Sequence, residues 1–393
     1  MKFHAFHLMP YRHLDMAEAN KYRSYWSVLP NRLYDPALGA DLYQEYIDQL
    51  VLAAKLGFDG VCVNEHHQTA YGLMPAPNLI ASILIDRTRG MKTKIPIIGR
   101  ALPLLNNPLT VAEEYAMLDN LSHGRIVAGF VRGIGCEYHA SGVNPIYSHE
   151  RFHEAHDLII RAWTEPGPFE YEGEHYNFRY VNTWPRPVQR PHPPVWIPSQ
   201  GSGETIEWAA APERKYPFII TFSPIESVLR FHDLYKQQAR TFGYEADGGQ
   251  LGWAVPVYVA ETDEIAIRES AAHIEALFNN FLYMPLEMVL PPGYTSIKSM
   301  KAILATKKGM TTAKQTMKDI LEKGTFAVGS PATVREKIEA AHARSGFKVL
   351  VAMIQFGTLP DPLVRKSTQL FAEEVMPKLR GLGESAQVRS AAE

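Results

Sequence analysis

Cysteine is nearly absent from this chain, with only Cys62 and Cys136 among 393 residues. Two residues cannot build the disulfide framework of a small secreted domain, and they are too few for a cysteine metal site. The first residues also lack the apolar core and small-residue cleavage site of a signal peptide. These absences predict a protein of the reducing cytoplasm.

Neither sign of charge dominates, because 40 Lys and Arg residues stand against 42 Asp and Glu residues. No run of like charge occurs, so nucleic acid and anionic membrane surfaces are not expected partners. No stretch approaches the ~18 uninterrupted apolar residues that a membrane-spanning helix needs. With 46% hydrophobic residues, the composition is instead that of a globular protein with a large core.

What the sequence does contain is an alternation of short apolar runs and longer helical patterns. Continuous apolar runs indicate strands that are buried on both faces and therefore pair in parallel. Because helical patterns separate them, we expect an α/β fold, a single (β/α)8 TIM barrel over residues 1–393. The eight predicted strands cover residues 2–9, 59–64, 94–102, 125–131, 193–199, 216–222, 251–260 and 349–356.

Such a barrel needs about 250 residues, and the additional length of this chain lies in three segments. Residues 9–36 are rich in Tyr and Pro, and residues 164–193 have the pattern of a hairpin followed by Pro-rich chain. Residues 283–330 are predicted to be an extended insertion with a short helix of its own.

Polar side chains follow several predicted strands at their carboxyl ends, where the chemistry of a βα barrel lies. The second strand ends in Asn64-Glu65-His66-His67. A hydrogen-bonded structural role accounts for such a histidine pair as well as a functional one does. No metal is expected, since neither an HExxH motif nor a second ligand cluster accompanies the pair.

Two arginines, Arg100 at the end of the third strand and Arg132 just after the fourth, favour an anionic ligand, with structural ion pairs as the alternative. The stretch Gln200-Gly201-Ser202-Gly203-Glu204-Thr205 follows the fifth strand and opens a helix. Backbone N–H groups, close-approach glycines and hydroxyls suit a phosphate, with Arg132 as its cation, although a plain helix cap explains them too. The GxGxxG pattern of a dinucleotide site is absent, so a mononucleotide is favoured.

Four stretches together resemble the bacterial luciferase-like, flavin-dependent monooxygenases: GFDGVCVNEHH, NPLTVAEEYAMLDNLSHGRIVAGFVRG, GSGETIEWAA and VGSPATVREKI…FAEEVMPKL. The resemblance covers nearly the whole chain in the same order. It implies a dimeric barrel that takes reduced FMN from a separate NAD(P)H:flavin reductase and uses O2 as co-substrate. The implied reaction passes through a C4a-peroxyflavin and either hydroxylates a small organic substrate or inserts oxygen into it.

The resemblance also implies roles for individual residues. His66 matches the family histidine that steers proton transfer beside the reactive face of the flavin, and Glu65 and His67 are expected to hold it in place. The expected cofactor contacts are Asn64, Arg100, Arg132, Tyr138, Gln200, Gly201, Ser202, Gly203 and Thr205. Gly201 stands where some relatives have an acidic residue.

A site that activates oxygen must exclude water, and residues 283–330 are expected to cover it. Aromatic residues in the predicted rim favour an apolar substrate, with Baeyer–Villiger oxidation and hydroxylation fitting equally well. Three alternatives stay open: a deazaflavin (F420)-dependent oxidoreductase that transfers hydride, a non-catalytic flavin-binding barrel and a metal-dependent barrel hydrolase.

Overall fold

Eleven strands are present in the computed structural model, which describes residues 1–297, 301 and 314–383. All eight predicted strands are among them. The strands are β1 Lys2–Phe6, β2 Gly60–Cys62, β3 Ile95–Ala101, β4 Ile126–Val131, β5 Phe169–Glu172, β6 Asn177–Val181, β7 Val195–Ser199, β8 Phe218–Thr221, β9 Leu251–Val259, β10 Ala327–Gly329 and β11 Val349–Met353.

The barrel wall consists of eight of these strands in the order β2-β1-β11-β9-β8-β7-β4-β3. Every pairing between them is parallel. Parallel bridges from Gly60 to Lys94 and from Val63 to Ile97 join β2 to β3 and so close the wall. The predicted α/β class and (β/α)8 barrel are therefore confirmed.

Helices surround the wall, and local sequence explains where several of them begin. Asp35 caps the helix that starts at Pro36, and Ser330 caps the one that starts at Pro331. None of the helices in the described ranges is long and apolar enough to cross a membrane. The helices are α1 Met16–Ala19, α2 Pro36–Lys55, α3 Pro77–Arg87, α4 Pro108–Leu121, α5 Gly135–Ser141, α6 Ser148–Thr164, α7 Gly203–Ala210, α8 Ile225–Thr241, α9 Asp263–Ala276, α10 Leu286–Val289, α11 Met317–Glu322, α12 Pro331–Ser345, α13 Asp361–Leu370 and α14 Met376–Leu379, with π-helical turns at Leu277–Phe281 and Phe371–Val375.

The three predicted insertions differ in structure. Residues 9–36 contain the short helix α1 and a 3-10 helix at Asn31–Leu33, and residues 164–193 contain the antiparallel pair β5 and β6, as the hairpin pattern predicted. Residues 283–330 hold α10, α11 and β10, a strand that pairs with β9. The rest of that insertion, residues 298–300 and 302–313, lies outside the described residues.

Side chains alternate between the barrel interior and the helical layer. His4 of β1 faces the interior, because its ring lies 4.9 Å from that of Trp196 on β7. Phe130 of β4 faces outward and stacks on Tyr115 of α4 and Trp163 of α6. This alternation decides which residues beyond the strand ends point into the mouth of the barrel.

Three buried histidines make the fold sensitive to acid. Burial lowers the pKa of His4, His7 and His232 from 6.5 to about 4. The unfolded chain takes up protons at the higher pKa and the folded chain only at the lower one, so the free energy of unfolding falls as the pH drops from 6.5 to about 4. Each histidine contributes on the order of 1–3 kcal/mol to this loss.

We expect Tm, measured by calorimetry between pH 7.5 and 4.5, to decrease through this window. His232→Gln should flatten the curve, because Gln can still donate to the Gly252 carbonyl that His232 contacts at 3.1 Å. An unchanged slope in this variant would show that His232 does not contribute to the acid sensitivity.

Candidate active site

His66 lies just beyond β2 with 14% of its side chain exposed. Its Nδ1 is 3.3 Å from Oε1 of Glu137. The rings of Trp26 and Tyr71 pack edge-on against it, each with its centroid 5.0 Å away. These contacts fix the imidazole in one orientation at the mouth of the barrel.

Glu137 of α5 is the group that anchors this histidine. Its carboxylate also accepts the N–H groups of Ile134 at 2.9 Å and His67 at 3.3 Å. Burial opposes ionisation, but the His66 contact and these N–H groups hold the pKa of Glu137 below its usual value. Because an ionised carboxylate only accepts hydrogen bonds, the Nδ1 of His66 carries a hydrogen, and Nε2 takes no part in this contact.

Glu65 has different partners from those expected. Its carboxylate lies 2.7 Å from His67 Nε2 and 3.3 Å from Arg100 Nη1, and it accepts the N–H of Ala101 at 3.1 Å. The contact with Glu65 raises the pKa of His67. Glu65 is thus bonded to His67 and Arg100, and the expectation that Glu65 and His67 hold His66 in place stays a prediction.

Arg100 belongs to this ion pair. With 13% of its side chain exposed, its charge is balanced by Glu65, which is almost fully buried. The guanidinium of Arg100 lies beside the Glu65 carboxylate. Its expected contact with the cofactor stays a prediction.

Arg132 has quite different surroundings beyond β4. Its Nη1 donates to Ser148 Oγ at 3.2 Å and to the Tyr294 carbonyl at 3.1 Å, and its guanidinium lies 4.6 Å from the Tyr294 ring. Tyr138 donates its hydroxyl to the Arg132 carbonyl at 2.5 Å. Within the described part of the chain no carboxylate lies within 4.0 Å of Arg132, so only neutral oxygens face this cation.

The turn before α7 is built around Gly201. Its φ is +95°, and a Cβ there would lie 2.1 Å from the Phe231 ring, so only glycine fits. Ser202 Oγ accepts the N–H of Thr205 at 3.5 Å as the helix cap. Gln200 and Gly203 are exposed. The stretch caps a helix start, and the phosphate interpretation stays a prediction, since a capped helix start still presents backbone N–H groups to solvent.

His149 connects the α7 turn with the arginine. Its Nε2 lies 3.8 Å from Glu204 of α7, and it follows Ser148, which contacts Arg132. Burial, together with the charge of Arg132, lowers the pKa of His149 to about 4. The start of α7 and Arg132 therefore lie in one neighbourhood, as the phosphate prediction requires.

A family model described as luciferase-like monooxygenase matches residues 24–348. The chain belongs to the luciferase-like monooxygenase family. The uncharacterized protein y4wF of Sinorhizobium fredii is 29% identical over 348 residues, which cover 87% of this chain and 94% of that protein. The 2,5-diketocamphane 1,2-monooxygenase 1 of Pseudomonas putida is 24% identical over 349 residues, covering 82% of this chain and 90% of the enzyme.

Solved structures share the fold of this luciferase-like chain. The oxygenating constituent of 3,6-diketocamphane monooxygenase from Pseudomonas putida, a type II Baeyer–Villiger monooxygenase solved with FMN, superposes with a TM-score of 0.70 at 21% identity, covering 86% of this chain and 94% of that one. An F420-dependent secondary alcohol dehydrogenase has a TM-score of 0.66 at 15% identity, covering 96% and 99%.

The described part of the luciferase-like insertion packs on the cation site. A Cβ on Gly135 would meet Pro291, Val289 and Met288 at 2.2–2.8 Å, and the Tyr294 hydroxyl donates to the Gly133 carbonyl at 2.6 Å. Residues 286–294 thus cover the turn that carries Arg132. Residues 298–300 and 302–313 of the expected cover lie outside the described ranges.

Glu137, the anchor of His66 in this luciferase-like chain, was not identified from the sequence. The sequence patterns assign no role to Glu137, because they do not predict its helix, α5. The signal was present in GCEYHAS, a short pattern that a glycine closes at Gly142.

Proposed function

We propose that the chain is the oxygenase component of a two-component, flavin-dependent monooxygenase that uses reduced FMN and O2. The observation that carries this proposal is Arg132, a cation at the barrel mouth faced only by neutral oxygens in the described chain. A phosphate is the natural counter-ion for such a group, because the guanidinium fork matches its oxygens. The exposed N–H groups before α7 add donors on the same side.

When bound, reduced FMN supplies two electrons and activates O2, so that one oxygen atom enters the substrate and the other leaves as water. The protein contributes orientation, proton control and exclusion of water. His66, held at Nδ1 by Glu137, exchanges protons through Nε2. Trp26 is fully buried and Tyr71 nearly so, and together they shield one side of the imidazole from solvent.

The proposal includes two protein partners. The description of the diketocamphane structure as an oxygenating constituent supports a separate flavin reductase as electron source. A homodimer is supported by apolar side chains on α3 and α4 that stay exposed, namely Leu79, Ile83, Met117 and Leu121. Sedimentation velocity would test it, and a strictly monomeric protein at micromolar concentration would contradict it.

The substrate class we propose is a small, largely apolar ketone or related organic molecule, supported by the diketocamphane relatives. The test combines the protein with a flavin reductase, FMN, NADH, isotopically labelled 18O2 and a panel of cyclic ketones. We expect products that carry one labelled oxygen atom and a matching fall in peroxide release. Products without labelled oxygen would contradict an oxygenase. The release of peroxide with no organic product across the whole panel would contradict it as well.

A parallel titration separates the proposal from its nearest alternative. The F420-dependent dehydrogenase shares the fold, so the protein is titrated without oxygen with reduced FMN and with reduced F420. We expect tighter binding of reduced FMN. Tighter binding of F420 together with hydride transfer to a carbonyl would replace the monooxygenase proposal.

A further inference from the structure

Two buried amide side chains near the barrel mouth have polar atoms that the described chain does not satisfy. Gln355, just beyond β11, is fully buried, and neither its Nε2 nor its Oε1 has a hydrogen-bond partner. Asn64, just beyond β2, is 6% exposed, and its Oδ1 has none. Leaving such atoms unpaired costs stability, so in native proteins they indicate a ligand, a bound water or a catalytic use.

The strand register places both amides in one layer. Phe6 of β1 pairs with Met353 on one side and with Cys62 on the other. Leu8, Gln355 and Asn64 lie two residues beyond this aligned triplet, just past the ends of the three strands. Because side chains repeat their direction every second residue, these three share the face of Phe6.

That face is the barrel interior. His4 precedes Phe6 by two residues and contacts Trp196 across the barrel. Phe356 packs against Phe326 and against Tyr258, whose hydroxyl reaches Glu269 of the outer helix α9, and this places its neighbour Gln355 inward. With one strand between them, the Cα atoms of Asn64 and Gln355 are roughly 10 Å apart.

The amides also lie across the mouth from the phosphate site. In the closed order of eight strands, β11 is four strands from β4 in either direction. Gln355 and Arg132 therefore stand at opposite ends of one diameter. A ligand held by both must have an anion at one end and a flat polar edge at the other.

We propose that Gln355 and Asn64 bind the pyrimidine edge of the flavin ring, a role that rests on the proposed function. This edge carries two carbonyl oxygens with an N–H between them. The amide nitrogen of Gln355 would donate to a carbonyl, and Oδ1 of Asn64 would accept the N–H. A carbonyl of the organic substrate could accept the same hydrogen bond from Gln355. The test therefore distinguishes binding of the flavin from binding of the substrate.

The test measures the binding of reduced riboflavin, which has this edge but no phosphate. Gln355→Met keeps the volume and removes the hydrogen bonds, so we expect riboflavin and FMN to bind about tenfold more weakly. Because the variant also removes unsatisfied buried atoms, Tm of the ligand-free protein should stay constant or rise by about 2 °C. If Gln355→Met does not fold, Gln355→Leu serves in its place.

A second probe reports on Asn64. Reduced 3-methylriboflavin lacks the N–H of the edge, so the native protein should bind it about tenfold more weakly than riboflavin. In Asn64→Ala this difference should disappear. An equal difference in both proteins would remove Asn64 from the assignment.

Gln49 provides the matched control. It is as deeply buried as Gln355, but its Oε1 lies 2.7 Å from His7 Nε2 and its Nε2 donates to Asp361 at 2.9 Å. Gln49→Met should lower Tm and leave riboflavin affinity unchanged.

Three results would overturn the proposal. Gln355 is structural if Gln355→Met behaves like the Gln49 control. It belongs to the substrate site if flavin affinity stays constant while KM for the organic substrate rises. If the unmodified protein binds neither riboflavin nor FMN, the proposed function itself fails and this inference fails with it.

Discussion

His66→Ala is expected to reduce oxygenated product per reduced FMN consumed by about 100-fold, the lower range for loss of a positioned acid–base group. The affinity for FMN should change less than about twofold, because the variant removes neither a phosphate contact nor an ion pair with the cofactor. The measurement is product yield by mass spectrometry beside peroxide release, with the flavin oxidation rate recorded in parallel. Peroxide should rise as product falls.

Two variants define how His66 acts. His67→Asn alters the neighbouring histidine, which contacts Glu65 instead of Glu137 through its ring, and should keep product yield within about threefold. Glu137→Gln removes the charged anchor at Nδ1 and should lower yield about tenfold. Native yield in His66→Ala would exclude His66 from the reaction, and an equal loss in His67→Asn would indicate general damage to the strand tip.

Arg132→Met is expected to weaken the binding of reduced FMN by about 100-fold, since charge-assisted hydrogen bonds contribute about 1.5–3 kcal/mol. Binding of reduced riboflavin should stay within about twofold, because riboflavin has no phosphate for the arginine to contact. The ratio of the two dissociation constants, measured by anaerobic fluorescence titration, isolates the phosphate contribution. Arg132→Lys should recover part of the loss without the two-point contact.

Arg100→Met is the control for this ratio. Its removal leaves Glu65 buried without its arginine, so Tm should fall clearly. The FMN-to-riboflavin ratio should stay as in the native protein. A ratio that collapses in Arg100→Met but not in Arg132→Met would reverse the assignment and support the original expectation for Arg100.

The barrel was predictable because its signals are local and repeated. Each wall strand is a short apolar run, and each helix has a 3.6-residue pattern with a recognisable start, such as Asp35-Pro36 or Ser330-Pro331. The short pieces α5 and β10 escaped prediction, since seven and three residues carry too little periodicity.

The site was predictable only in its positions. Strand ends identify which residues reach the mouth, and His66, Arg132 and the α7 turn came from that rule together with the family resemblance. Partners could not be predicted, because Glu137 and His66 are 71 residues apart and meet only when α5 folds against the tip of β2. The same holds for Arg100 of β3, whose charge is balanced by Glu65 just beyond the neighbouring strand β2.

The contacts of Arg132 with the cover constrain how this site can diversify. The bond from Arg132 to residue 294 ends on a backbone carbonyl, so replacing Tyr294 would cost the ring contact but not that acceptor. Glu137, in contrast, is tied to His66, His67 and Ile134 by its own side chain. Under the proposed function, mutations in the cover would leave the Arg132 acceptor in place, whereas mutations in the turn from Arg132 to Glu137 would change cofactor anchoring and proton transfer together.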